Sequence, residues 1–218
     1  MEKNNIELTN VKMVLNTNYI IRLIFFILGI FVLAMGAATI IHANLGAATW
    51  DVLHIGLADL TGISVGRWVQ IVGILMLLTT TFFEKKRIAV GSILNIVMIG
   101  FFLNLILDSG LLPSFTEGFS KFIMLLIGIT LMGTGSGMYV SSKLGAGPRD
   151  GMTLFISERF SISVRLARTI LEMSALTCGW IIGGPVAFGT FITVPLIGPI
   201  MQASLRFCTK RLESIKTY

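Results

Sequence analysis

Only two cysteines, two histidines and five prolines occur in 218 residues, and 13% of positions are charged. Each scarcity excludes something. Two histidines without a cysteine cluster do not provide the ligand spacing of a zinc site, and no metal or other cofactor is expected. Cys178 and Cys208 lie within or at the end of apolar runs, so they read as free thiols rather than a disulfide. So few charges beside 54% hydrophobic residues and a mean hydropathy of +0.86 exclude a water-soluble domain, which would expose large apolar patches. There is no phosphate loop, no Gly-x-Ser-x-Gly elbow and no His-Glu-x-x-His helix. The run Gly133-Thr134-Gly135-Ser136-Gly137 lies inside an apolar stretch with no strand before it, so it is not a nucleotide loop. The chain is therefore not expected to be an enzyme.

What is present is apolar sequence of bilayer length. A span needs roughly 20 mainly apolar residues, and six candidates occur, at about 22–41, 66–83, 88–107, 122–140, 166–183 and 187–206. The first is longer than a secretory signal core and follows a polar leader, so it reads as retained. Residues 1–20 form that leader, 22–108 a first unit, 109–120 an external linker, 121–207 a second unit and 208–218 a cytoplasmic tail.

The two units match. At an offset of 99, Leu45-Gly46-Ala47 falls on Leu144-Gly145-Ala146, Asp51 on Asp150, and Ile63-Ser64-Val65 on Ile162-Ser163-Val164. Gly29 and Gly36 fall on Gly128 and Gly135; beyond about position 84 the offset becomes 98, pairing Gly91 with Gly189 and Gly100 with Gly198. Such a match indicates an internal duplication. Three spans per unit reverse the chain, so the second unit enters the membrane from the opposite side. The expected fold is an all-α polytopic membrane protein with six transmembrane helices as two inverted three-helix repeats. Each repeat adds a short re-entrant or interfacial helix, at about 49–60 and 148–159, too short to span.

The net charge of +6 might suggest a nucleic-acid partner, but its distribution does not. With the N-terminus inside, Lys3, Lys12, Arg22, Lys85-Lys86-Arg87, Lys143, Arg149, Arg159, Arg165, Arg168, Arg206, Lys210, Arg211 and Lys216 are cytoplasmic. Only Arg67 and Lys121 remain outside. The positive-inside rule then puts both termini in the cytoplasm. The lipid bilayer is the partner these charges address, and no nucleic acid is expected. A second copy of the chain or another protein stays open as a partner.

On the short helices, Asp51, His54, Ala58 and Asp59 share one face, as do Asp150, Thr153, Ser157 and Glu158. An Asp in the first helical turn suits the exposed N–H groups, and it can equally contact a ligand or ion. His54 beside Asp51 can titrate near neutral pH. Glu172 lies inside the fifth span, four residues after Arg168, and an intramembrane acid usually faces the bundle interior. Gln70, Asn95, Asn104 and Gln202 suit hydrogen bonds between spans. Gly29, Ala34, Gly36, Ala38, Gly133, Gly135 and Gly137 make small-residue faces that bring the first and fourth spans together. Trp50, Trp68 and Trp180 suit an outer interfacial belt. The candidate substrate-binding set is Asn44, Trp50, Asp51, His54, Arg149, Asp150, Thr153 and Glu172.

Ala43-Asn44-Leu45-Gly46, Trp50-Asp51-Val52-Leu53-His54, Gly56-Leu57 and Thr61-Gly62-Ile63-Ser64-Val65-Gly66 resemble the YczE/YyaS family of bacterial integral membrane proteins. Leu144-Gly145, Gly147-Pro148-Arg149-Asp150-Gly151, Gly189-Thr190 and Gly198-Pro199 fit it as well. The family often has Pro before that Trp where this chain has Thr49. A more distant similarity reaches the YitT group. The resemblance implies a bacterial inner-membrane location and supplies no substrate. The residues point to a secondary transporter or channel-like carrier of an unidentified small solute. The alternative is a non-transporting membrane scaffold, or an accessory subunit for a cytoplasmic enzyme or an ATPase-driven transport system.

Overall fold

The structure is a computed structural model that describes residues 2–84, 90–145 and 147–214. The run Lys85-Lys86-Arg87, Ala146 of the repeat match and Lys216 lie outside the described residues. Eight helices occur among the described residues: α1 (Glu2–Ala43), α2 (Thr49–Thr61), α3 (Val65–Glu84), α4 (Val90–Asp108), α5 (Gly118–Ser141), α6 (Pro148–Phe160), α7 (Val164–Ile181) and α8 (Phe188–Ser214). The stretch read as a polar leader is the start of α1, continuous with the first apolar run.

Among the described residues, five segments are long and apolar enough to cross a bilayer: Tyr19–Ala43 of α1, Val65–Phe83 of α3, and α4, α5 and α8. The sixth expected span, α7, is a helix of 18 residues that carries Arg165, Arg168 and Glu172. At 1.5 Å per residue it is about 27 Å long, but it is too charged to be recognised as a span by composition.

The two short helices form where expected because the backbone turns sharply at both ends. Asn44 (φ 52°) and Gly46 (φ 109°) break the chain after α1, and Gly62 (φ 71°) ends α2. Lys143 (φ 59°) and Ser161 (φ 52°) bracket α6. Asn44 and Lys143 are equivalent at the offset of 99, as are Gly62 and Ser161. The two halves thus turn left-handed at matching places, although two of these residues are neither Gly nor Asn and adopt that region at some cost. Pro148 opens α6 at a position where its missing N–H removes no helical hydrogen bond.

The core is the crossing of α1 and α5. Gly29 lies on Tyr139, Gly36 on Met132 and Gly128, Ile40 on Gly128, and Leu33 on Gly135. Rising numbers on one helix meet falling numbers on the other, so the two run antiparallel. A Cβ on Gly36 would lie 2.7 Å from Gly128 O, and one on Gly128 would lie 2.9 Å from Ile40 N. Only small residues allow such an approach. Phe26 closes the same seam edge-on against Tyr139, ring centroids 6.2 Å apart. Gly133 and Gly137, grouped with Gly135 from sequence, instead face α8, at Ile200 and at Met201 and Leu205 respectively.

Around this pair, α4 flanks α1 and α8 flanks α5; α2 packs on α7, and α6 on α3. One relation is unequal. Helix α3 packs along α4, whereas α7 and α8 do not pack along each other. The α3–α4 crossing is closed by Gly66 and Gly100, each against the other's backbone oxygen. Asn104 Oδ1 accepts from Gly66 N at 2.8 Å, and its Nδ2 donates to Ser64 Oγ at 2.9 Å. Gln70 Nε2 donates to Val97 O at 2.8 Å. The interhelical role expected of Asn104 and Gln70 is thus seen directly. Asn104→Leu removes two of these bonds and leaves an amide and a hydroxyl without partners. It is expected to lower stability by about 1–3 kcal/mol, read as an earlier unfolding midpoint on heating in detergent.

Candidate functional site

A cavity of about 690 Å³ lies beside the α1–α5 crossing. Its apolar wall comes from Leu33, Ala37, Val69, Val72, Ile96, Leu103, Met132 and Ile197. Many of its polar groups come from the first turns of α2 and α6, namely Thr49, Trp50, Asp51, Arg149 and Asp150, with His54 one turn further along α2. Helix α7 adds Arg165, Arg168, Thr169 and Glu172, which recur every three or four residues and so share one helical face. Thr193, Met201, Gln202 and Leu205 of α8 complete the lining. The mouth lies between the start of α7 and the later part of α8, where the lining residues Arg165, Arg168 and Gln202 are exposed.

The deep part is built on α2. Trp50, Asp51 and His54 are almost wholly buried, and Asp51 Oδ1 lies 3.8 Å from His54 Nδ1. That is beyond a hydrogen bond, and Asp51 Oδ2, His54 Nδ1 and Trp50 Nε1 are all without a partner. The Trp50 and His54 rings are 6.4 Å apart. The Arg149 guanidinium sits 4.9 Å over the Trp50 ring, so α6 reaches across onto α2. Thr49 Oγ1 donates to Glu172 Oε2, tying α2 to α7. At the mouth, Arg168 Nη1 lies 3.9 Å from Asp150 Oδ1, both side chains substantially exposed; such a pair contributes little to stability.

Six of the eight sequence candidates therefore meet in one cavity: Trp50, Asp51, His54, Arg149, Asp150 and Glu172. Two do not. Asn44 is exposed and serves the left-handed turn after α1. Thr153 is buried and donates to Arg149 O at 2.8 Å, a bond within α6. The outer ends of both polar stripes, Asp59 and Glu158, are exposed. Neither Asp51 nor Asp150 caps its helix: the N-caps are Ala48 and Gly147, and neither cap makes a side-chain hydrogen bond. Trp50 belongs to the interior, not to an interfacial belt, whereas Trp180 is exposed. Arg168 faces Asp150 and Glu172 faces Thr49, so the two are not the helical ion pair their spacing suggested. Both cysteines are free, as expected. Tyr139 and Arg165 line the cavity without having been singled out as binding residues. The repeat of Arg165, Arg168 and Glu172 along one helical face is the signal that points to Arg165; for Tyr139 there is none in the sequence.

The family model described as a family of unknown function (DUF6198) matches residues 20–206. The chain belongs to this family. It is 35% identical over 187 residues to the uncharacterized membrane protein YczE of Bacillus subtilis (strain 168), covering 85% of this chain and 86% of that one. It is 34% identical over 179 residues to an uncharacterized protein of Haemophilus influenzae, covering 82% and 81%. A third relative, the uncharacterized protein YyaS of B. subtilis, is 28% identical over 179 residues, covering 80% and 88%. The resemblance carried by the Trp-Asp-Val-Leu-His run is therefore met. No solved structure matches the chain. With YczE named a membrane protein and several apolar helices of bilayer length, the chain is a multi-pass membrane protein.

Proposed function

We propose that this protein is a small secondary carrier that moves a small solute across the bacterial inner membrane. In this reading α1, α3, α4, α5, α7 and α8 cross the bilayer as two inverted three-helix repeats, α2 and α6 are re-entrant arms, and both termini are cytoplasmic. The observation that carries it is the cavity itself. The first turns of two broken helices, one from each half, meet inside an apolar bundle around ionisable side chains. Secondary transporters place their sites at such junctions near the bilayer midplane, and ionisable groups at that depth are costly enough to call for a function. The inverted relation is supported by contacts that exchange between halves. Gly29 on Tyr139 maps onto Gly128 on Ile40, Gly36 on Met132 maps onto Gly135 on Leu33, and Gly91 on Leu144 maps onto Gly189 on Leu45.

With the charge-based orientation, the mouth between the start of α7 and the later part of α8 opens to the cytoplasm. The Gly66–Gly100 crossing seals the other end. The conformer is then one that faces inward. The sequence carries no nucleotide-binding motif, so in this reading a gradient drives transport, the alternative being an ATPase partner that supplies the energy. The protein acts as a carrier, with no chemistry performed on the solute.

Proteoliposomes filled with a defined mixture of amino acids, polyamines, carboxylates and sugars test this, with efflux of each component followed by mass spectrometry. At least one component is expected to leave faster than from protein-free vesicles. Asp51→Asn, Asp150→Asn or Glu172→Gln is expected to slow that component about tenfold, a cost of about 1.4 kcal/mol in binding or barrier. If no component leaves faster than from empty vesicles, the carrier reading fails.

A further inference from the structure

The deep end of the cavity holds two titratable groups, each with one buried atom that no described residue satisfies. Asp51 and His54 are three residues apart on the buried face of α2, at 3% and 1% exposure. Their facing atoms are 3.8 Å apart, and both Asp51 Oδ2 and His54 Nδ1 lack a partner. An ionised carboxylate in such a place is expensive unless paired or hydrogen-bonded. The remaining neighbours do not supply that pairing. From α6, Arg149 stacks on Trp50 and Asp150 faces Arg168. From α7, Glu172 is engaged by Thr49, and the side chains packed beside Trp50 are Leu171 and Ala175. From α3, the adjoining side chains are Val72 and Met76.

We infer that Asp51 and His54 form a proton-binding site, and that a proton is the ion coupled to solute movement. This rests on the carrier reading above and names its coupling ion. A single proton bound by the pair neutralises the carboxylate or turns the imidazole into its counter-ion, and a closure of less than about 1 Å from the 3.8 Å separation makes the facing atoms a donor and an acceptor. The site is one-sided, because the equivalent of His54 is Thr153, whose hydroxyl is engaged within α6. It is also linked mechanically to the mouth. A Cβ on Gly56 would lie 2.7 Å from Ile182 Cγ1, and one on Gly179 would lie 2.7 Å from Leu53 Cα. Helices α2 and α7 are thus locked by close backbone approach, and α7 is one wall of the mouth. When α7 moves relative to α8, α2 moves with it, and water access to the pair changes as the mouth opens or closes. Protonation and cavity orientation are then two states of one element, which is what coupling requires.

The presence of only two histidines makes this measurable without any solute. In His42→Gln protein labelled with 15N-histidine and reconstituted in lipid, His54 is the single imidazole reporter. Its ring nitrogens are followed by NMR from about pH 5 to 9. If the pair shares a proton, the His54 titration runs in two coupled steps. Asp51→Asn then collapses it to one and moves the midpoint by about one pH unit or more. A single-step titration with the same midpoint in both proteins overturns the proposal. The wild-type curve alone decides the matter if Asp51→Asn does not fold, since a lone uncoupled histidine gives one step. In the vesicle assay, efflux by the unaltered protein is expected to follow an imposed pH gradient, and His54→Gln is expected to abolish that response whatever its downhill rate. Efflux that keeps its full response overturns the proton site but leaves the carrier reading intact. A coupled titration with no efflux of any component overturns the carrier reading instead.

Discussion

Gly36→Leu and Gly135→Leu are expected to give protein that does not survive extraction as a folded monodisperse species. Helix α1 crosses α5 through these two residues, with backbone facing backbone. A Cβ at Gly36 would meet Met132 backbone and lie 2.7 Å from Gly128 O; one at Gly135 would meet Leu33 N and lie 2.7 Å from Gly29 O. Backbone of a packed helix has no rotamer to change, so the only response is to push the helices apart. In lipid this is especially damaging, since helices associate there through close packing rather than by escaping water. Even alanine is expected to be costly. Overpacking a tight core typically costs 1–3 kcal/mol, and a clash with backbone belongs at the upper end. At about 2–4 °C per kcal/mol for a chain of this size, Gly36→Ala should lower the unfolding midpoint in detergent by about 6–12 °C. Gly118, Gly151 and Gly198 have open space where a Cβ would go, and alanine at each should change the midpoint by no more than a degree or two. Equal effects at all five positions would mean that the α1–α5 crossing is not the tight seam.

Much of this architecture is legible in the sequence for physical reasons. Bilayer-length apolar runs give the long helices. Glycine, proline and asparagine punctuation gives the short ones: α2 and α6 run to Thr61 and Phe160, one residue beyond the expected 60 and 159. The small residues of α1 and α5 give the central crossing. What periodicity cannot reveal is which partner a polar face meets. Asp51 and His54 share a face with Ala58 and Asp59, but α7 and α3 cover only the first turns of α2, so the stripe divides into a buried half and an exposed half. Asn44 is a binding candidate by sequence, yet its role is a left-handed backbone angle. Arg168 and Glu172 have the spacing of a helical pair, but α6 and α2 each offer a nearer partner. These are tertiary outcomes, set by how α6 reaches over α2, and a single chain pattern does not encode them.

The inequality between the halves has a local cause. At the α3–α4 crossing, Gly66 and Gly100 let the helices touch, and Asn104 and Gln70 stitch them. The equivalents in the second half are Arg165, Gly198, Gln202 and Thr169. A guanidinium now stands where a hydrogen atom stood, so α7 does not close on α8, and Gly198 faces open space. Three of the four residues at this crossing differ between the halves, and the exchange of Gly66 for Arg165 is the largest in size and charge.

Copying that side chain into the first half should therefore open the sealed end. Gly66→Arg removes the contact with Gly100 and displaces the Asn104 amide from Gly66 N. The accessible reporter is Val69, which is 8% exposed and lines the cavity one turn further along α3. In a Cys178→Ser, Cys208→Ser background, Val69→Cys should react with a membrane-impermeant thiol reagent from one side of oriented vesicles only. Adding Gly66→Arg should make it react from both sides, with at least a tenfold faster reaction on the previously silent face. Gly66→Ala is the graded control, because its methyl group would meet Gly100 O and loosen the crossing without inserting a charge. If Val69→Cys already reacts equally from both sides with Gly66 intact, the crossing is not a seal. If Gly66→Arg leaves the labelling one-sided, the closure lies elsewhere, and the exchange of Gly66 for Arg165 does not account for the asymmetry.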